Sequence, residues 1–362
     1  MTRDGGEAEA RTNANPDEPA VGQGHQMGRS PDACSILSAT YDEPIAGSAA
    51  TATTWLCIEQ PGPWGADALV ESHLDVELGG ELAARAKGTG VRIQLIRRPG
   101  RHADAHPPAT LPGGRRVFVA HTRPGATWLR AAVVDDPHSL LDLDLAALAA
   151  GEEPREWGER VAGPVLLVCS NGRRDLCCAL VGRPLAGELA RRHAADVTDP
   201  AGGAHTGGTV WETTHTGGHR FAPTAVLLPT GYLYGRLDVD FAEHVLAEAR
   251  AGRMVTERCR GRSTWSAPGQ VAELAVRERT GEADPDAVRA EPEVPEAPGA
   301  TGTDNARWQV RVVAGDRAWT VTGREETLRP DRKTSCAKAP LTPTAHVASE
   351  VGETEPAGVR AG

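Results

Sequence analysis

The residues of this chain best equipped for chemistry are two close pairs, Cys169-x8-Cys178 and His215-x3-His219. They lie in the stretches VLLVCSNGRRDLCCALVGRP and VWETTHTGGHRFAP. Thiolate and imidazole are soft to borderline donors, and two pairs of them in neighbouring loops make a metal site. Zinc takes such a set tetrahedrally and without redox chemistry. A [2Fe–2S] cluster also takes two thiolates and two imidazoles, and then moves electrons. The pattern is read as a [2Fe–2S] cluster on Cys169, Cys178, His215 and His219, with zinc as the alternative.

The neighbours of these residues refine that reading. Gly217 and Gly218 let the backbone between the histidines take positive φ and pass close to a cofactor. Cys177 adjoins Cys178, so a ligand swap or a thiol oxidoreductase built on the adjacent pair is a third reading; spacing favours Cys178, and the usual C-x-x-C is missing. Asp175 is expected to cap the following helix or to receive an imidazole N–H. Arg174 and Arg220 are expected to be solvated, or else to bias the potential of the site. With two ferric ions, two sulfides and two thiolates the formal charge is about 0, against about −2 for four thiolates. The potential should therefore lie above the plant-type value near −400 mV. A titratable imidazole N–H should make it fall with rising pH.

At these residues the chain resembles the sucrase/ferredoxin-like family, which groups with thioredoxin-like [2Fe–2S] ferredoxins. The resemblance rests on the C-x8-C segment with Arg174-Asp175 inside it and on H-x-G-G-H followed by Arg220-Phe221-Ala222-Pro223. It also rests on Leu228–Arg236, on Pro-Gly-Pro-Trp-Gly at 61–65, and on Cys259–Arg262, and it spans residues 34–340. It implies Cys169 and Cys178 on one iron, with His215 and His219 on the other where related ferredoxins carry C-x3-C. The expected function is electron transfer between a reductase and an unidentified acceptor, since the chain shows no flavin or nicotinamide signature of its own. Nothing in the sequence supports the "sucrase" half of the family's name.

Around the site two blocks share one order of elements. TTWLCIEQ, ADALVESHLDVELGGELAARAKGTG, VRIQLI, RRVFVAHT, TWLRAAVV and SLLDLDLAALAAGE read as strand, helix, three strands and helix. VLLVCS, GRPLAGELARRHAAD, TVWETT, TAVLLP, YLYGRL and DFAEHVLAEARAG repeat it. The expected fold is α/β with two thioredoxin-like lobes (βαβ then ββα), at 34–155 and 160–280, the second carrying the cluster. Polar, Pro-rich composition predicts a disordered tail at 1–33, a linker at 282–305 and a second tail at 341–362. RWQVRVVAGDRAWTVTG predicts a β-hairpin within 306–340.

Composition limits the partners. The 39 basic residues against 49 acidic give a net charge of −10, which argues against a nucleic-acid surface. No stretch has the length and apolarity of a signal peptide or membrane span, so the expectation is a cytoplasmic monomer or weak dimer. Seven irregularly spaced cysteines suit metal or redox use better than a disulfide framework. Cys34, Cys57 and Cys259 read as packing residues.

Overall fold

The computed structural model describes residues 30–100, 114–194, 208–291 and 306–354. They form a mixed α/β protein with one ten-stranded mixed sheet and a separate four-stranded antiparallel sheet. A short helix, α1 (Cys34–Thr40), precedes the large sheet.

The first half of that sheet contains β1 (Thr54–Glu59), β2 (Val91–Arg97), β3 (Arg115–His121) and β4 (Trp128–Val134), with α2 (Val76–Ala86) between β1 and β2. Its spatial order is β2-β1-β3-β4; β1 and β2 are parallel and the other pairs antiparallel. Helix α3 (Leu145–Ala150) and the two-residue strand β5 (Glu159–Arg160) follow. The second half contains β6 (Val165–Cys169), α4 (Arg183–Arg192), β7 (Val210–Thr213), β8 (Ala225–Leu228), β9 (Tyr232–Tyr234) and α5 (Val239–Arg250). Its order, β7-β6-β8-β9, has the same pattern of parallel and antiparallel neighbours. One edge is extended by β10 (Cys259–Arg262).

The two halves join where β2 and β7 overlap antiparallel, at Ile96 opposite Thr213 and Arg97 opposite Glu212. Only the last residues of each strand pair, so the loops that leave both strands meet at the middle of the sheet. Arg97 bonds Glu212 there at 2.8 Å, both side chains being almost wholly buried. Ser170 Oγ donates to the same carboxylate at 2.7 Å, and Arg97 Nη1 donates to the Gly62 carbonyl at 2.9 Å.

Central strands β1 and β6 are buried along their whole length, which explains their unbroken apolar runs. One face packs under helices: Leu78 and Leu82 of α2 lie over Leu56 and Ile58, while Leu185 and Leu189 of α4 lie over Leu166 and Val168. The other face gathers Trp55, Phe118, Leu167, Trp211 and Val226 from both halves, without a helical residue. The sheet curls to enclose it: Ala52 N–H reaches the Ser263 carbonyl at 2.7 Å and Trp55 Nε1 donates to Ser263 Oγ at 3.1 Å.

Helix α6 (Ala267–Thr280) carries the second sheet, β11 (Val288–Ala290), β12 (Arg307–Ala314), β13 (Arg317–Thr327) and β14 (Thr344–Thr354), paired in chain order. Its buried Glu273 accepts from Tyr232 Oη at 2.5 Å, Trp265 Nε1 at 2.9 Å and Arg277 Nε at 3.0 Å.

Several expectations change. The hairpin forms as β12 and β13, but within four strands. Residues 344–354 are not a tail: β14 pairs with β13 along its length, although its polar composition hides an edge strand with only partial burial. Within the expected linker, Val288–Ala290 forms β11 opposite the end of β12; residues 292–305 and 1–29 lie outside the described residues. The helix expected from Ala66 starts only at Val76, where Asp75 accepts from the Leu78 N–H at 2.9 Å. Gly79 sits inside α2 because a Cβ there would meet the Leu69 carbonyl oxygen at 2.0 Å. Strand β10 and helix α6 have no counterpart in the sequence reading.

Candidate metal centre

Cys169 is the last residue of β6, and its N–H donates to the Thr224 carbonyl at 2.9 Å. The chain then loops through Ser170–Asp175 and re-enters helix at Leu176, and Cys178 is the first residue of a π-helical turn, Cys178–Gly182, that runs into α4. Such turns recur at functional sites because they re-aim side chains. Gly182 permits the return: a Cβ there would strike the Cys169 carbonyl oxygen at 2.2 Å. Cys169 and Cys178 are both buried and hydrogen-bonded to each other. The Cys169 thiol is held well below the usual value by that bond and, against burial, by His215 and the Thr216 amide. The same bond and burial push Cys178 well up.

His215 and His219 follow β7, with ring centroids 5.2 Å apart. Each presents a buried Nδ1 that has no hydrogen-bond partner among the described residues. His219 Nε2 lies 3.7 Å from Asp175 Oδ2. Burial pulls the His219 imidazole below its usual value, with Asp175 opposing. Gly218, at φ +65°, is required here, since a Cβ would meet the Arg260 guanidinium at 2.1 Å.

Arg260 runs beneath this loop, wholly buried, and donates from Nη1 to the Gly217 carbonyl at 3.0 Å. Burial and Arg220 bring it down to about 9, while the thiols of Cys169 and Cys178 oppose the shift. Arg92, from β2 in the other half, donates to the His215 carbonyl at 2.9 Å. Neither cation is legible as a site residue, because both reach the loop only through sheet pairing. The arginines expected beside the ligands have other settings. Arg220 pairs with the buried Glu43, and Arg174 is exposed on the rim of a cavity of about 580 Å³ that Trp64, Asn171, Arg173 and Arg183 also line.

Asp175 does more than cap. It accepts from the Cys177 N–H at 3.0 Å, from Ser335 Oγ at 2.9 Å and from the Cys336 N–H at 2.9 Å. Cys177 turns away from Cys178. Its Sγ lies 3.5 Å from that of Cys34 and 3.1 Å from that of Cys336. Cys34, Asp175, Cys177 and Cys336 bring four donor atoms within 4.8 Å of one another, a group able to hold a metal ion. Hydrogen bonds from Cys336 and Cys34 hold the Cys177 thiol low, and bonding to Cys177 pushes the other two up. Sequence reasoning gives Cys34 no role: separations of 143 and 159 residues leave no spacing to read. All seven cysteines are free.

The model of the sucrase/ferredoxin-like family matches residues 45–261. The chain belongs to that family. Cys169, Cys178, His215 and His219 fall inside the family region, whereas Cys34 and Cys336 fall outside it. No curated protein and no solved structure matches the chain. Among the described residues of this sucrase/ferredoxin-like protein, no helix is long and apolar enough to cross a membrane.

Proposed function

We propose that this protein carries single electrons on a [2Fe–2S] cluster held by Cys169, Cys178, His215 and His219. The observation that carries the reading is the meeting, at the ends of β6 and β7, of two buried thiols with two imidazoles whose buried Nδ1 atoms lack partners among the described residues. A buried polar atom left unpaired is unfavourable, so two side by side suit an absent ligand. The donor set fits the group. When bound, it supplies one-electron redox chemistry at a potential raised by imidazole ligation.

The chain's own residues do the rest. Burial of both thiols keeps water from them. With Nδ1 as the donor atom, Nε2 of His219 holds its proton facing Asp175, so a proton can be kept or lost there. Arg92 and Arg260 place positive charge behind the loop and hold its carbonyls. The arginines at the cavity rim suit an acidic redox partner, and a separate reductase is proposed as donor, with the acceptor unidentified. The order β2-β1-β3-β4, repeated as β7-β6-β8-β9, supports reading the large sheet as two thioredoxin-like lobes, 34–155 and 160–280. Free cysteines suit a reducing compartment such as the cytoplasm.

Zinc in the same four ligands is the rival. A dithiol enzyme on Cys177 and Cys178 is disfavoured, since their sulfurs face different neighbours. Iron and acid-labile sulfide assays with EPR on anaerobically purified, reduced protein test the proposal. A rhombic signal that persists in Cys177→Ser and vanishes in Cys178→Ser is expected. Colourless protein with zinc in place of iron sinks it.

A further inference from the structure

Three cysteines far apart in the chain meet one residue away from the centre just described. Cys34 opens α1, Cys177 stands before Cys178, and Cys336 lies in the loop closed by the bridge between Arg332 and Leu341. Their Sγ atoms are 3.5, 3.1 and 3.6 Å apart. The buried Asp175 carboxylate faces them, 3.7 Å from Cys34 Sγ. Thiols that merely fill space need no carboxylate turned onto them, and burying one among them is costly unless something compensates.

We propose that Cys34, Cys177, Cys336 and Asp175 bind a single zinc ion that fastens both ends of the folded chain to the central sheet. Tetrahedral zinc with Zn–S near 2.3 Å sets its sulfurs about 3.8 Å apart, roughly 0.2–0.7 Å beyond the spacing here. Three thiolates on a [2Fe–2S] cluster would be spread over both irons, and those on different irons stand further apart, so this spacing suits one ion. The carboxylate oxygen selects zinc over copper(I), which favours an all-sulfur set. Asp175 is already oriented by the Cys177 amide, the Ser335 hydroxyl and the Cys336 amide. Those bonds use three of its roughly four lone-pair directions and leave one for a metal. Four protein donors make a closed, structural site rather than a catalytic one. Zinc displaces the remaining thiol protons to solvent, and no electron is transferred.

Cys34 and Cys336 lie outside the residues matched to the family, so the site belongs to the flanking segments of this chain. Its place gives it a purpose. Helix α1 packs on the turn His219–Phe221, and the Cys336 loop packs on Asp175. A metal tying the two together holds a cover over His219.

The test counts zinc and iron separately in the full-length protein, purified anaerobically without chelator, so that this inference and the iron reading can fail independently. About one zinc per chain is expected, with X-ray absorption showing three sulfur neighbours and one oxygen. Cys34→Ser and Cys336→Ser should each lower zinc at least tenfold while iron and visible absorption stay. Cys336 is the less buried thiol, so its variant is the safer folding case, and retained visible absorption reports that fold. Cys169→Ser should lose iron and keep zinc. Wild-type protein with under about a tenth of a zinc per chain overturns the proposal. Zinc unchanged in both serine variants does so too, as does a Cys177–Cys336 disulfide in the protein as isolated.

Discussion

The two halves of the large sheet run the same course and end differently. In the second half, β6 ends in a thiol, the first turn of the next helix carries another, and the loop after β7 carries two histidines. In the first half, β1 ends in Glu59 and Gln60 follows it, where Arg115 Nη1 donates to Gln60 Oε1 at 2.6 Å and Trp64 Nε1 donates to the Gln60 carbonyl at 2.8 Å. Those loop positions hold an ordinary satisfied polar network. The lesson is that the strand order supplies a platform twice, and side chains at the loop ends decide whether it carries chemistry. The first half is not idle, because Arg92 and Gln94 of β2 reach the His215 carbonyl. It serves as the wall of the other half's site.

The largest expected effect breaks the comparison outright. Cys178→Ser should lower iron content at least tenfold, whereas Cys57→Ser, in the corresponding buried strand of the first half, should leave iron unchanged. Cys57 sits in the apolar face with Trp55 and Phe118, and burial alone pushes its thiol up. Iron assay on both variants checks this, and equal loss in both would erase the distinction between the halves. Next comes the seam. Glu212→Gln breaks the buried Arg97–Glu212 pair, and breaking a buried pair costs about 3–5 kcal/mol. Urea unfolding followed by circular dichroism should show that loss; a change under about 1 kcal/mol would mean that the seam does not couple the halves.

How much of this could be read from residues alone differs between strands and sites. Strands of both halves were legible because β-branched and apolar runs buried on both faces carry a strong signal. Strand β14 was not, since the polarity of TAHVASEV on a half-exposed edge resembles a tail: Thr344–Thr354 keeps only Ala345 buried. Strand β10, CRGR, was hidden because arginines occupy a buried strand, satisfied by carbonyls that only the fold brings near. In the site, Cys169, Cys178, His215 and His219 showed by local spacing. Arg92, Arg260, Cys34 and Cys336 did not, because each arrives from another element. Local spacing reveals what one loop holds; it is blind to what a sheet register delivers.

A subtler effect sharpens the comparison by asking whether the first half tunes the second. Arg92→Gln removes a positive charge lying against the His215 loop, and Arg220→Gln removes one already paired with Glu43. Cationic charge favours the reduced state, so Arg92→Gln should lower the midpoint potential on the order of 50 mV. Arg220→Gln should shift it less. Potentiometric titration of the visible absorption measures both, and an unchanged potential in Arg92→Gln would reduce the first half to a mechanical support.

The smallest effect concerns a buried histidine of the first half. His121 is buried, with Nδ1 3.0 Å from Thr54 Oγ1, its ring stacked on Trp128, and Nε2 without a partner among the described residues. Burial, then Arg123, lowers its pKa below the ordinary value of 6.5, with Arg262 adding to the shift. Its neutral form is therefore favoured in the fold. Above pH 6.5 both folded and unfolded chains hold it neutral, and it contributes nothing to the slope. As pH falls below 6.5 the unfolded chain takes up the proton first, and stability drops until the folded pKa is passed, by no more than about 1.4 kcal/mol per pH unit. His121→Gln keeps a polar partner for Thr54 and removes the titration. The stability lost between pH 7.5 and 5.5 should be smaller in the variant than in wild type, measured as urea unfolding free energies on iron-free protein. Equal losses would show that this buried imidazole takes its proton without opening the fold, and that the first half accommodates a charge that its packing argues against.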